Sequence, residues 1–384
     1  MEEEPVVTVY AHVNTFPHGS TGGVMMREHR ELLAAGGDSY AFWGRGRAAE
    51  GAREMRFATD WEVRLDGVQT RLGGKAGFHS KAATKRLLKR LDEIRPDVVH
   101  LHNLHGYYVN VEMLFNWLAS HECKVEWTLH DCWAFTGHCA YFTYAKCMQW
   151  KDRCAYENPC PQLDTYPKTY SKRSCAWSFE RKRRLFNLVP AERMKLITPS
   201  YWLEGLVNQS FLAKYPVEVR HNTVDASVFK PTPSDFRERY GIGNRFMILG
   251  VASPWTERKG LADFVRLAGE LDDEGYAIVL VGLSEKQIKE MPEGVVGLAR
   301  TGSPQDLAAV YTAADVFFNP TREDNYPTTL LEAQSCGTDA LTYLVGGCEE
   351  ALYRENSNGI ATISDALQAI KAMAGERPRG YAHE

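Results

Sequence analysis

The sequence predicts an α/β protein with two doubly wound parallel sheets, one in each half of the chain. Three observations support this. Short apolar runs of strand length alternate with helical stretches. The alternation stops at a proline-marked stretch, residues 229–233, and then restarts. At 384 residues the chain exceeds one ordinary core. The expected domains are residues 1–228 and 229–384, two Rossmann-like units facing a central cleft where a ligand would bind.

In the first half, residues 6–10 read as a strand. The turn Gly19-Ser-Thr-Gly-Gly23 follows, then a helix with Val24, Met25, Leu32 and Leu33 that ends at Gly36-Gly37. Residues 39–43 are a second strand. Leu87, Leu88, Leu91 and Ile94 share one helical face, with Lys85, Arg86, Lys89 and Arg90 around it. Residues 97–102 and 124–130 are buried strands. The segment 132–195 breaks the alternation. It is rich in Tyr, Trp and Cys, turns basic at Glu180-Arg-Lys-Arg-Arg184, and reads as an elaboration of the first domain beside the cleft. In the second half, strands are expected at 246–252, 277–282 and 316–319, and helices at 261–271, 307–314 and 330–336.

Composition narrows the function classes. Hydrophobic residues make up 44% and aromatics 11%, as in a globular protein. Residues 1–228 hold 30 Lys and Arg against 26 Asp and Glu, a net +4; the remainder holds 15 against 23, a net −8. The positive half suits anionic surfaces or phosphorylated acceptors. It is too weakly basic for nucleic acid, and no nucleic-acid recognition module is present. The start, Met1-Glu-Glu-Glu-Pro5, is acidic and shows no secretory signal. No apolar run approaches the ~20 residues that span a bilayer. Nine cysteines without a signal indicate a reduced, cytoplasmic protein.

Several side-chain patterns carry chemistry. The glycines at 19–23 precede a helix, where backbone and dipole favour an anion. His100, His102, His105 and His130 fall at or beyond strand ends, where open α/β sheets place ligands, and His130-Asp131 closes a strand with a polar pair. Arg258-Lys259-Gly260 opens a helix after a strand and Ser253-Pro-Trp255, an arrangement suited to a diphosphate. Glu332 interrupts the apolar helix that follows Arg322-Glu-Asp-Asn-Tyr-Pro327. Cys139, Cys147, Cys154 and Cys160 offer four thiolates for a tetrahedral zinc, although their wide gaps lack the two-residue spacing of strong zinc motifs.

Taken together, the segments resemble glycosyltransferase family 4, and most closely its bacterial exopolysaccharide (colanic-acid-type) and O-antigen branch. The resemblance rests on Gly19-Ser-Thr-Gly22, His100-Leu-His-Asn-Leu-His-Gly106, Trp127-Thr-Leu-His-Asp-Cys-Trp-Ala-Phe-Thr-Gly137, Pro199-Ser-Tyr-Trp-Leu203, Ser253-Pro-Trp-Thr-Glu-Arg-Lys-Gly260, Ala314-Asp315 and the stretch from Arg322 to Gly337. It implies a GT-B fold and retaining transfer of a hexosyl group from a UDP- or GDP-sugar, without a bound metal or other cofactor. The acceptor would be a glycan or an undecaprenyl-linked molecule at the inner membrane face. By position, Lys259 would neutralise the donor diphosphate with help from Arg258. Asp324 would hold donor-sugar hydroxyls, Glu332 the ribose hydroxyls, and His130 would touch the transferred sugar. Gly22 and Gly23 would form a loop closing over the phosphates. Ser253, Glu323, Asn325, Tyr326, Thr328 and Thr329 complete the donor side, and His102, His105 and Asp131 the acceptor side.

The chain departs from the family pattern at several positions. The first acidic position in register is Asp324, with Glu323 one residue early, and either could reach the sugar. Pro327 stands where glycine is common and removes one amide. Ser253 replaces a frequent phosphate-binding arginine, Asp339 a proline, and Cys348 a serine. The chain also ends soon after residues 366–374, short of a final helix expected to cross back to the first domain. These departures leave two alternatives: an inactive transferase-like scaffold, or a GT-B sugar-nucleotide epimerase.

Overall fold

Seven parallel strands build the first sheet: β1 (Val9–Asn14), β2 (Asp38–Trp43), β3 (Glu54–Arg56), β4 (Val98–Leu101), β5 (Lys124–Thr128), β6 (Met194–Thr198) and β7 (Val217–Val219). Their order is β3-β2-β1-β4-β5-β6-β7, so the winding reverses between β1 and β4. The helices are α1 (Gly19–Ala34), α2 (Asp60–Gly73), α3 (Lys81–Ile94), α4 (Val111–Ser120), α5 (Ser174–Leu185) and α6 (Tyr201–Val207). The computed structural model describes residues 7–376. The acidic start and Val6 of the expected first strand lie outside them.

The second sheet has six parallel strands: β8 (Phe246–Val251), β9 (Tyr276–Val281), β10 (Val296–Leu298), β11 (Val316–Asn319), β12 (Asp339–Tyr343) and β13 (Asn358–Ile360). Its order is β10-β9-β8-β11-β12-β13, with the reversal between β8 and β11. The accompanying helices are α7 (Phe236–Arg239), α8 (Leu261–Glu270), α9 (Glu285–Glu290), α10 (Pro304–Ala313), α11 (Thr328–Ser335) and α12 (Ile363–Glu376). The expected α/β doubly wound fold is present in both halves.

Local chemistry explains several element ends. Thr59 and Glu62 form a reciprocal capping box on α2, Asn110 caps α4 and Ser200 caps α6. Ser303 caps α10, with Pro304 in its first turn.

The structure revises four expectations. The first strand runs later than residues 6–10, because His12 and Asn14 are buried strand residues rather than the start of a loop. Both faces of a parallel sheet are covered, so polarity there does not mark exposure. Gly22 and Gly23 sit in the first turns of α1 and form no loop. A Cβ on Gly22 would meet Phe16 O at 2.6 Å, so this glycine serves close packing of the helix start. The chain divides between His221 and Asn222, seven residues before the expected boundary. Residues 229–233 belong with the second unit: Ser335 Oγ donates to Phe229 O at 2.7 Å, and the Thr232 amide donates to Thr312 Oγ1 at 2.9 Å. Finally, only Arg183 and Arg184 of the basic run at 181–184 are exposed. Lys182 is fully buried, and Arg181 pairs with Glu112.

The segment after β5 forms part of the first core. Phe135, Phe142 and Trp150 pack edge-on or tilted at centroid separations of 4.9–6.3 Å. Trp127 of β5, Phe115 of α4 and Phe186 continue this aromatic layer. Among the described residues, no helix is long and apolar enough to cross a membrane.

Candidate active site

In the second unit, the loops after β8 and β11 lie side by side because those strands are neighbours at the reversal of the sheet. The first carries Ser253, Arg258 and Lys259; the second carries residues 320–327 and leads into α11. Lys259 Nζ lies 2.5 Å from Asp324 Oδ2, and Arg258 Nη1 lies 3.8 Å from the same oxygen while donating to Glu323 O at 2.7 Å. Burial pushes the Asp324 carboxyl up, but Lys259, then Arg258, and the Asn325 amide outweigh this and hold it below the usual range. Arg258, Lys259 and Asp324 are therefore brought together. Asp324 meets the lysine directly, and Glu323 and Asn325 are buried beside it. Tyr326 is buried, Thr328 and Thr329 start α11, and Ser253 is exposed just past the end of β8.

Two glycine contacts fix these loops. Gly260 adopts φ 76°, and a Cβ there would lie 2.2 Å from Pro320 O. Gly260→Ala should therefore destabilise the protein by about 1–3 kcal/mol, read as a lower denaturation midpoint; an unchanged midpoint would contradict the contact. Gly346 packs on the other side, where a Cβ would meet Asp324 O.

Glu332 is half-buried one turn into α11 and accepts a hydrogen bond from Tyr311 of α10 at 3.0 Å. Burial raises its carboxyl, and hydrogen bonds from Tyr311 and Thr328 moderate the rise. A carboxylate held this way by a neutral donor keeps an acceptor oxygen for ligand hydroxyls. Tyr311 was missed in the sequence because it reads as one more apolar residue of its helix.

The first unit gathers its nominated residues just beyond β4 and β5, which pair with each other. His102 Nδ1 lies 3.1 Å from His130 Nε2, and His105 Nε2 lies 2.7 Å from Asp131 Oδ2. Asp131 also accepts the Trp133 amide at 2.9 Å. Burial pushes the His130 imidazole down to about 4, so it is neutral near pH 7. For Asp131, burial raises the carboxyl, but His105 and the Trp133 amide bring it below the usual range. The resulting site combines a neutral imidazole with an ionised carboxylate.

Cys139, Cys147, Cys154 and Cys160 line one small cavity together with Cys175 from α5. Cys175 was missed because it follows the spaced quartet on a separate helix. Burial raises the Cys139 thiol well above its usual range and Cys154 to about 12, whereas a hydrogen bond with Cys175 brings Cys160 down to about 7. Lys182, near these thiols, donates to Trp133 O at 2.6 Å, and burial pulls its ammonium down to about 7.

Residues 244–375 match the family model of Glycosyl transferases group 1. The matched stretch lies within the second unit. Arg258, Lys259, Asp324 and Glu332 all fall inside it. A protein named as the colanic acid biosynthesis glycosyl transferase WcaC of Escherichia coli K12 is 24% identical over 299 residues, 73% of this chain and 68% of that protein. An alpha-galactosylglucosyldiacylglycerol synthase of Streptococcus pneumoniae is 28% identical over 169 residues, but the match spans only 40% of this chain and 45% of that protein. Among solved structures, sucrose-phosphate synthase from Thermosynechococcus elongatus superposes with TM-score 0.67 at 14% identity, covering 96% of this chain and 90% of that one. Anabaena HepE in complex with UDP-glucose gives 0.59 at 14% identity, covering 94% and 88%. These likenesses place the chain in the GT-B fold.

Proposed function

We propose that the protein is a retaining glycosyltransferase of family 4 that moves a hexosyl group from a nucleotide sugar to a hydroxyl of a glycan or lipid-linked acceptor in surface-polysaccharide assembly. The observation that carries this reading is the arrangement of Lys259 on Asp324, beside the start of α11, with Glu332 one turn further on. In the transfer, the bond from the sugar's anomeric carbon to the diphosphate breaks and the diphosphate leaves with the electron pair. The acceptor oxygen forms the new bond, and its proton passes to the leaving phosphate. Lys259, assisted by Arg258, offsets the charge developing on that leaving group. Asp324 orients the sugar, Glu332 the ribose, and neutral His130 hydrogen-bonds the transferred sugar.

The match to a protein named for colanic acid biosynthesis supports the polysaccharide class, and the likeness to HepE with UDP-glucose makes UDP-sugars the first donors to test. A binding screen over UDP- and GDP-sugars, followed by product analysis with polysaccharide and polyprenyl-linked acceptors, tests the reading. Transfer with the anomeric configuration kept supports it. Binding without turnover would favour a scaffold, and interconversion of donors without acceptor an epimerase.

Membrane association is a separate part of the proposal. It rests on exposed Lys85, Lys89, Arg183 and Arg184, since Arg86 and Arg90 are engaged by Glu62 and Glu93. Anionic vesicles at low salt should retain the protein and release it as salt is raised; no retention would remove this part.

A further inference from the structure

A second cluster of potential ligands lies in the first unit, on a different set of side chains from the cysteines. His12 on β1, Glu28 on α1, and His100 and His102 on and just beyond β4 present ligand atoms that all lie within 4.8 Å of one another. Three of the four residues are fully buried in the sheet face. The Glu28 Oε2 atom lies 3.2 Å from His100 Nδ1 and 3.7 Å from His102 Nε2.

The polar atoms facing this space are conspicuously unsatisfied. Among the described residues, both ring nitrogens of His12 and Nε2 of His102 are buried without a hydrogen-bond partner, and Glu28 Oε2 has no hydrogen bond beyond its approach to His100 Nδ1. Buried polar atoms are nearly always partnered, and a group of them left open toward one point calls for an occupant. A single buried His–Glu ion pair would account for Glu28 and His100 but would leave His12 with nothing to bond.

We propose that His12, Glu28, His100 and His102 bind one divalent transition-metal ion of the zinc class. Three imidazoles and one carboxylate are a donor set suited to zinc and its borderline neighbours. In a tetrahedral site the ligand atoms stand about 3.4 Å apart, so the observed cluster needs only modest side-chain adjustment. With four protein ligands the site is closed, which makes the ion structural rather than catalytic.

The surrounding contacts complete the arrangement. His100 Nε2 lies 2.8 Å from Thr128 Oγ1, and His102 Nδ1 lies 3.1 Å from His130 Nε2. A metal on His100 Nδ1 and His102 Nε2 leaves the proton on each opposite nitrogen, where it donates to these partners. Such outer contacts fix ring orientation and tautomer in metal sites. The ion would thus position His102 and, through it, His130. This inference rests on the ligand geometry alone and stands or falls independently of the transferase reading.

Cobalt(II) binding to the full chain tests it. After chelator dialysis, the wild-type protein should take up about one cobalt per chain with the weak visible bands of nitrogen and oxygen ligation. These bands should persist in Cys139→Ser/Cys154→Ser. They should be lost in His12→Asn and in Glu28→Gln, and circular dichroism shows which variants remain folded. Should one variant fail to fold, the other and the wild-type spectrum still decide. Zinc added to the stripped wild type should raise its melting temperature and displace the cobalt. Absence of cobalt uptake, or cobalt showing only thiolate charge-transfer bands that the cysteine substitutions abolish, overturns the proposal.

Discussion

Lys259→Ala is expected to reduce sugar transfer by about 10²–10³-fold, the usual cost of removing one group that stabilises a developing anion. The loss should appear mainly in kcat, with Lys259→Arg recovering part of it. The same substitution removes the ammonium 2.5 Å from the buried Asp324 carboxylate and leaves Arg258, at 3.8 Å, as the nearby cation, so stability should fall by about 1–3 kcal/mol. The pH dependence has a definite sign. Asp324 is held below its ordinary range in the folded protein, so its pairing stabilises the fold above the unfolded carboxyl's pKa, about 3.9. That contribution fades as pH falls through the lower folded value. Wild type and variant should therefore differ fully at pH 7 and converge in strong acid. Denaturant melts at several pH values check this, and a difference that grows on acidification would refute the assignment.

His130→Ala should lower turnover by about 10²–10⁴-fold, as for a positioned side chain at a reacting centre. Its effect on stability should be limited to about 1–2 kcal/mol from the lost contact with His102. Steady-state kinetics beside thermal melts separate the two effects. If both fall together, with residual activity tracking the folded fraction, His130 holds the structure and does not take part in transfer.

Much of the site could be read from single residues with their near neighbours. Lys259 follows a strand and opens a helix turn; Glu332 is a carboxylate in an apolar helix; His130-Asp131 ends a strand. Each signal is local. The reading failed where a residue's meaning depended on what covers it. Gly22 read as part of a loop closing over the phosphates, yet it lies in α1 and packs against Phe16 O. Arg181 and Lys182 looked like a surface charge run, yet one is paired and the other buried. His12 was passed over because an isolated histidine in a strand carries no local signal.

The sequence by itself determined the two doubly wound sheets and the loops that carry the candidate site. Strand and helix are encoded in short-range periodicity, and the alternation of the two admits few topologies. Only the tertiary structure decided which ionisable groups meet. Lys259 and Asp324 are 65 residues apart, Tyr311 and Glu332 are 21 apart, and the cluster of His12, Glu28, His100 and His102 draws on two strands and a helix. These pairings follow from strand order and from how each helix packs on its sheet. No local pattern specifies either, because both are fixed by burial of the whole core.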